Sequence, residues 1–338
     1  MIQIHAEDRF RAVAACMLLT DYVNENVGWN RPHPMRAQVL PVIEPHRDHP
    51  CALFLRGRLA AIGFGLCALS AALTPDPPFR WRDPGDAARH RPEQRYPELL
   101  TSFHEEAGLD ELWRSLAAEW ETVHRQCRRA LDRYRVEEWM ASFWGPTSKR
   151  LLLVPNPTDP PGFGFGPNNV DEAICIAGPP NVSRDAPEEQ LEELFDYGRY
   201  DDTANLVIHE FGHTYLDAAR REVEALAEQT ADIGASLALR DWFPEVYEGW
   251  PHRLMETILR AVQGAWRAEV VSPQSAEEWL AQEAGRFGLD ILPPIYRALV
   301  AVPASDRPLG PAGVVAAAAE ALAGYRRRGG AAAAGAGP

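Results

Sequence analysis

The segment His209-Glu210-Phe211-Gly212-His213 constrains the fold more than any other stretch of this chain. Its two histidines stand one helical turn apart, so in a helix both imidazoles project from the same face. At that spacing they can converge on one ion at the zinc–nitrogen distance of about 2.0–2.1 Å. Glu210 follows the first histidine by about 100° around the helix, within reach of a water on the ion without being a ligand. The preceding Asn205-Leu206-Val207-Ile208 is apolar enough to anchor the helix in a core. Asp201, Asp202 and Thr203 supply N-cap chemistry and favourable negative charge, so a helix is expected over 203–221. Gly212 leaves room for a close backbone neighbour, as a helix packed beside a sheet would require.

A catalytic zinc site takes three protein ligands and leaves the fourth position to water. Residues 214–219 read Thr-Tyr-Leu-Asp-Ala-Ala, which excludes a continuation to H-x-x-G-x-x-H. The third ligand is therefore expected further along, among Glu222, Glu224, Glu228, Glu245, Glu248, Glu256 and Glu269, with His252 as a weaker candidate. Glu256 stands out because Leu254–Val262 is otherwise largely apolar, and a carboxylate among buried neighbours is costly unless a charge compensates it. A metal would do so, assisted by Arg260 one turn on; a structural glutamate paired with Arg260 is the competing possibility. Asp217, one turn after His213, can orient an imidazole or simply lie on the helix surface.

Along the rest of the chain, 1–144 reads as a helical N-terminal lobe. Phe10–Tyr22 has helical periodicity, the apolar run 59–73 suggests one helix buried on all sides, and Leu109–Tyr134 suggests one long amphipathic helix. The character changes at Gly145-Pro146. Leu151–Val154 and Ala173–Ala177 read as short strands bounded by breakers. Between them, Gly162-Phe163-Gly164-Phe165-Gly166 resembles a phosphate loop only superficially, because no helix bearing Lys-Ser/Thr follows; a wide hairpin loop is expected instead. Helical segments follow at 222–240, 251–270 (the third-ligand helix) and 275–287. This gives an α+β, predominantly α chain with a small sheet: a core over 145–300, a C-terminal segment over 301–328, and a low-complexity flexible tail over 329–338.

The formal net charge is −14, and Lys149 is the only lysine. An acidic surface repels phosphate backbones, which argues against nucleic-acid partners. Five scattered cysteines (16, 51, 67, 127 and 175) without a C-x-x-C pair argue against a disulfide framework or a cysteine zinc cluster. They are expected to be small buried hydrophobes. Glu7 and Asp8 ahead of Ala12–Leu19 do not suit a secretory signal. No apolar run reaches the ~18–20 residues that span a bilayer. A cytoplasmic protein without membrane partners is expected.

The sequence resembles a bacterial domain-of-unknown-function family grouped with the zincin-like, gluzincin-type metallopeptidases. The resemblance is carried by Val207–His213, by Trp250 ahead of Glu256, and by Glu256-x-x-x-Arg260-Ala261. Weaker matches are His49-Pro50, Phe103, the strand pair, and Glu283–Leu289 leading into Pro294-Ile295-Tyr296. The resemblance implies a zincin-like metallopeptidase core binding one Zn2+ through His209, His213 and Glu256.

Such a site would hydrolyse a peptide or protein substrate with metal-activated water and Glu210 as general base. Arg260, Tyr197, Tyr200, Tyr215 and His49 are candidates for steadying the oxyanion. If Ala173–Ala177 is an edge strand, a substrate backbone could pair with it. The rival expectations are a catalytically silent zinc-binding or regulatory module, a cytoplasmic regulatory protease that cuts a transcription factor, and a structural helical protein with an accidental motif.

Overall fold

The structure, a computed structural model, describes residues 1–20, 30–62, 65–83, 85 and 93–334. It is mostly helical, with a small mixed four-stranded sheet. The chain forms two compact units, Met1–Arg133 with Ser148–Leu206, and Tyr134–Thr147 with Val207–Pro338. This division departs from the boundary expected at 145, because the strands fold with the N-terminal helices.

In the first unit the strands are β1 (Gln3–Ile4), β2 (Arg150–Pro155), β3 (Gly164–Phe165) and β4 (Glu172–Ala177), in the order β1-β2-β4-β3. β2 runs parallel to both β1 and β4, pairing Leu152 with Gln3 and with Ile174. The two apolar runs were therefore legible as strands, but the segment between them is not a hairpin loop. Parallel neighbours need a crossover, and this one returns through β3, which pairs antiparallel with the end of β4. β4 lies between β2 and β3 and is buried along its whole length, so the condition for pairing an extended substrate with it, a free edge, is not met. Burial on both faces is why its sequence is a continuous apolar run. Phe10 and Ala71 pack on Leu152, Val154, Ile174 and Ile176.

A charged knot fixes α1 (Asp8–Met17) to this sheet. The buried Arg9 donates to Glu7 (2.7 Å), to Glu172 (3.0 Å) and to the carbonyls of Ala71 and Leu73 (both 2.8 Å). Arg82 and Arg150 also engage Glu172. Pairing and hydrogen bonding on this scale let the cation tolerate burial.

The other helices of this unit are α2 (Pro34–Ile43), α3 (Pro50–Ile62), α4 (Gly65–Ala71), α5 (Tyr96–Glu106), α6 (Leu109–Ser115), α7 (Ala117–Arg133) and the short α9 (Leu191–Leu194); α8 (Val136–Trp144) belongs to the second unit. The run 59–73 falls on two helices rather than one, with 63–64 outside the described residues; so do 21 and 22, at the end of the expected first helix. The expected long helix over 109–134 is interrupted at Leu116, where Ser115 Oγ donates to the Leu112 carbonyl (2.8 Å); such back-bonding bends helices. Cys16, Cys51, Cys127 and Cys175 are free and buried, as expected.

The second unit is built around α14 (Gly249–Val270), whose residues 254–267 are all buried. Around it pack α11 (Arg220–Gln229), α12 (Ala231–Ser236), α15 (Pro273–Phe287), α16 (Leu292–Val300) and α17 (Gly310–Ala334). α10 (Asp202–Asp217) carries the motif, and α13 (Phe243–Val246) precedes α14. Trp266, fully buried, donates from Nε1 to the Tyr134 carbonyl at 3.3 Å. Trp250 donates to Thr230 Oγ1 (3.1 Å) and lies over Gly234, where an added Cβ would stand 2.5 Å from its ring. This contact ties the start of α14 to α12. Residues 329–334 continue α17, in keeping with the high helix propensity of alanine; the rest of the expected tail, 335–338, lies outside the described residues. Among the described residues, no helix is long and apolar enough to cross a membrane.

Candidate metal centre

α10 begins at Asp202, close to the expected 203, and ends at Asp217, short of the expected 221. Thr203 donates its hydroxyl to the Tyr197 carbonyl (2.7 Å). Gly212 faces a helix and not a sheet. A Cβ there would stand 2.6 Å from Leu259 Cδ2, so the missing side chain allows α14 to approach α10 closely. Leu259 is three residues beyond Glu256, on a neighbouring part of the same helix surface. The glycine therefore helps bring Glu256 towards the two histidines.

His209, His213 and Glu256 converge, each offering one ligand atom within 4.8 Å of the other two. His213 Nε2 lies 3.1 Å from Glu256 Oε1, and His209 Nε2 lies 3.4 Å from Glu256 Oε2. The imidazoles are 5.0 Å apart between centroids and nearly perpendicular. Glu256 is 2% exposed, and its Oε2 is buried without a hydrogen-bond partner. A buried carboxylate oxygen left unsatisfied is expensive, and a cation between it and the two imidazoles would satisfy it. Two nitrogens and one oxygen form a donor set suited to zinc. The residues present fit such an ion.

No family model matches the chain, and no similar curated protein or solved structure was found. The site's own side chains carry what can be concluded about it.

His209 Nδ1 stands 3.2 Å from Gln263 Oε1. With the amide oxygen accepting, the ring proton sits on Nδ1 and the Nε2 lone pair faces Glu256 and His213. Gln263 follows Glu256 by seven residues and so lies on the same face of α14. Arg260 belongs to that stripe as well. Its guanidinium lies 3.9 Å from Glu256 Oε2 and 3.4 Å from Glu283, and it packs over the rings of Phe243 and Phe287.

The electrostatics follow from crowding these groups in a dry place. Burial alone would push Glu256 towards its protonated form, but His209 and His213 more than offset this and hold it well below the usual carboxylate range. Burial likewise opposes the charged form of His213. Its hydrogen bond to Glu256 and the charges of Glu256, Glu210 and Asp217 outweigh that and raise it. Glu210 is 7% exposed, and burial raises its carboxyl above the ordinary value. Tyr247 is raised too, by burial first and then by the charge of Glu256.

The remaining candidates of this unit are exposed or have other partners. Glu222, Glu224, Glu228, Glu245 and Glu248 are exposed. Glu269 accepts from Trp139 (3.1 Å) and Arg307 (2.8 Å). His252 is exposed and packs edge-on against Tyr247. Asp217 pairs with Arg220 at 2.9 Å. Tyr215 stacks on Trp144 at 5.2 Å.

Tyr197, Tyr200 and His49 belong to the other unit. Tyr197 is buried, Tyr200 is exposed, and His49 accepts from the Cys51 amide at the start of α3 and meets Ser102 at 3.2 Å. Sequence reasoning missed Gln263 and Tyr247. The seven-residue step from Glu256 could have revealed Gln263, whereas Tyr247 sits before α14 at no periodic position.

Proposed function

We propose that this chain is a zinc-dependent peptidase with a zincin-like, gluzincin-type centre: His209, His213 and Glu256 hold one zinc ion, and Glu210 serves as general base. The observation that carries the proposal is the buried, unpartnered Oε2 of Glu256 beside the His209 nitrogen. A structural glutamate paired only with Arg260 would leave that oxygen unsatisfied, since the guanidinium is 3.9 Å away.

When bound, zinc supplies a Lewis acid for the scissile carbonyl and lowers the pKa of its water towards about 7. Glu210 takes the proton from the attacking water and passes it to the leaving amine. Its raised proton affinity suits a group that must accept and then release a proton. Arg260, held between Glu283 and Glu256, keeps the third ligand in place. Gln263 holds the His209 ring in the tautomer that binds through Nε2.

The test is a diverse peptide library incubated with the purified, zinc-loaded chain, with and without a chelator. Cleavage that stops with the chelator and returns with added zinc is expected. No cleavage by a fully loaded protein would contradict the peptidase assignment and leave a silent zinc-binding module.

A further inference from the structure

A second convergence of metal-capable side chains lies in the unit formed by Met1–Arg133 and Ser148–Leu206. Asp8 opens α1, His104 sits in the last turn of α5, and Asp110 sits in the first turn of α6. His104 is 1% exposed, and its Nε2 is buried with no hydrogen-bond partner. That nitrogen stands 4.0 Å from Asp8 Oδ2 and 3.8 Å from Asp110 Oδ1.

These separations distinguish a shared ion from a direct ion pair. A charge-assisted N–H···O bond contracts to about 2.7–2.9 Å, whereas two ligands bound at about 2.0–2.2 Å to one ion stand roughly 3–4 Å apart. One ligand atom from each residue lies within 4.8 Å of the others. Arg11 engages the other oxygen of Asp8, Oδ1, and its guanidinium is held over Trp113 and Trp120 at 5.2 and 5.6 Å. Oδ2 is thus turned towards the histidine. Phe79 meets the His104 ring edge-on at 5.8 Å and fixes its plane.

We propose that Asp8, His104 and Asp110 form a second divalent-metal site, separate from the His209–His213–Glu256 centre. One imidazole and two carboxylates suit a first-row transition ion such as Zn2+ better than Mg2+ or Ca2+, which take oxygen ligands alone. Asp110, whose side chain is 72% exposed, is the face by which the ion enters. The ion cross-links the start of α1 to the α5–α6 corner, so its binding stabilises this unit by mass action.

The test is equilibrium dialysis of the full chain against Zn2+, with metal counted per chain and folding checked by circular dichroism. Asp110→Asn changes an exposed side chain and keeps the fold. His104→Gln removes the buried ligand while retaining polarity. Each variant is expected to lose one equivalent relative to the unmodified chain, while His213→Ala retains that equivalent. Zinc should raise the Tm of His213→Ala but not that of Asp110→Asn/His213→Ala. Either Asp110→Asn or His104→Gln keeping the full complement, or His213→Ala binding no zinc, would overturn the proposal. The equivalent lost with Asp110 is counted whether or not the other centre loads.

Discussion

His209 Nδ1 and Gln263 Oε1 lie 3.2 Å apart, joining the first motif histidine to the helix that carries Glu256. Such outer partners of a ligand histidine set its tautomer and ring orientation, and losing one typically costs 10–100-fold in metal affinity. Gln263→Leu should therefore weaken zinc binding by about that factor while the far-ultraviolet spectrum stays unchanged. A chelator-competition titration checks this, and unaltered affinity would remove the positioning role.

Glu210 should be separable from metal binding. In Glu210→Gln the ligands are untouched, so zinc content is retained. Peptide cleavage should fall by at least about 100-fold, the scale of general-base catalysis. Full turnover in this variant would rule out Glu210 as the base.

Gly212 and Leu259 should be energetically coupled. A Cβ at Gly212 would come within 2.6 Å of Leu259 Cδ2, and overpacking a core contact costs about 1–3 kcal/mol. In Gly212→Ala/Leu259→Ala the added methyl meets space, so the double variant should lose less stability than the sum of the single variants. Chemical denaturation of the four proteins measures this, and strict additivity would show that the contact does not set the spacing of α10 and α14.

Asp159 should make stability depend on pH. It is 7% exposed, its Oδ2 is buried without a partner, and burial raises its pKa from 3.8 to about 7. Because the folded chain holds this proton more tightly than the unfolded chain, the contribution of Asp159 to stability is greatest below pH ~4. It falls towards pH ~7 by up to roughly 1.4 kcal/mol per pH unit. Asp159→Asn should remove that slope and be the more stable protein at pH 8, with the advantage shrinking as the pH falls to 5. Parallel melting curves for the two proteins would refute this.

The centre was more legible in the sequence than the sheet was. Two imidazoles one turn apart, and a carboxylate inside an apolar helix, are local patterns with few physical readings. The same logic extends from Glu256 through Arg260 to Gln263, a polar stripe on a helix otherwise buried in apolar surroundings, although only its first two members were singled out. Tyr247 depends on how the chain enters α14 and carries no periodic signal. The sheet depends on distant pairing, since β1 is two residues long and finds Leu152 and Leu153 across more than a hundred residues of chain. Neither run of apolar residues says whether its neighbour is parallel, so the sequence leaves open whether β4 lies at an edge. The break at Leu116 was hidden because the apolar stripe continues through it.

The most direct test of the metal centre is zinc stoichiometry in an Asp110→Asn background, which removes the second proposed site. Asp110→Asn should bind one tight equivalent, and Asp110→Asn/His213→Ala and Asp110→Asn/Glu256→Ala should bind none. Undiminished zinc in either double variant would contradict a centre built from His209, His213 and Glu256.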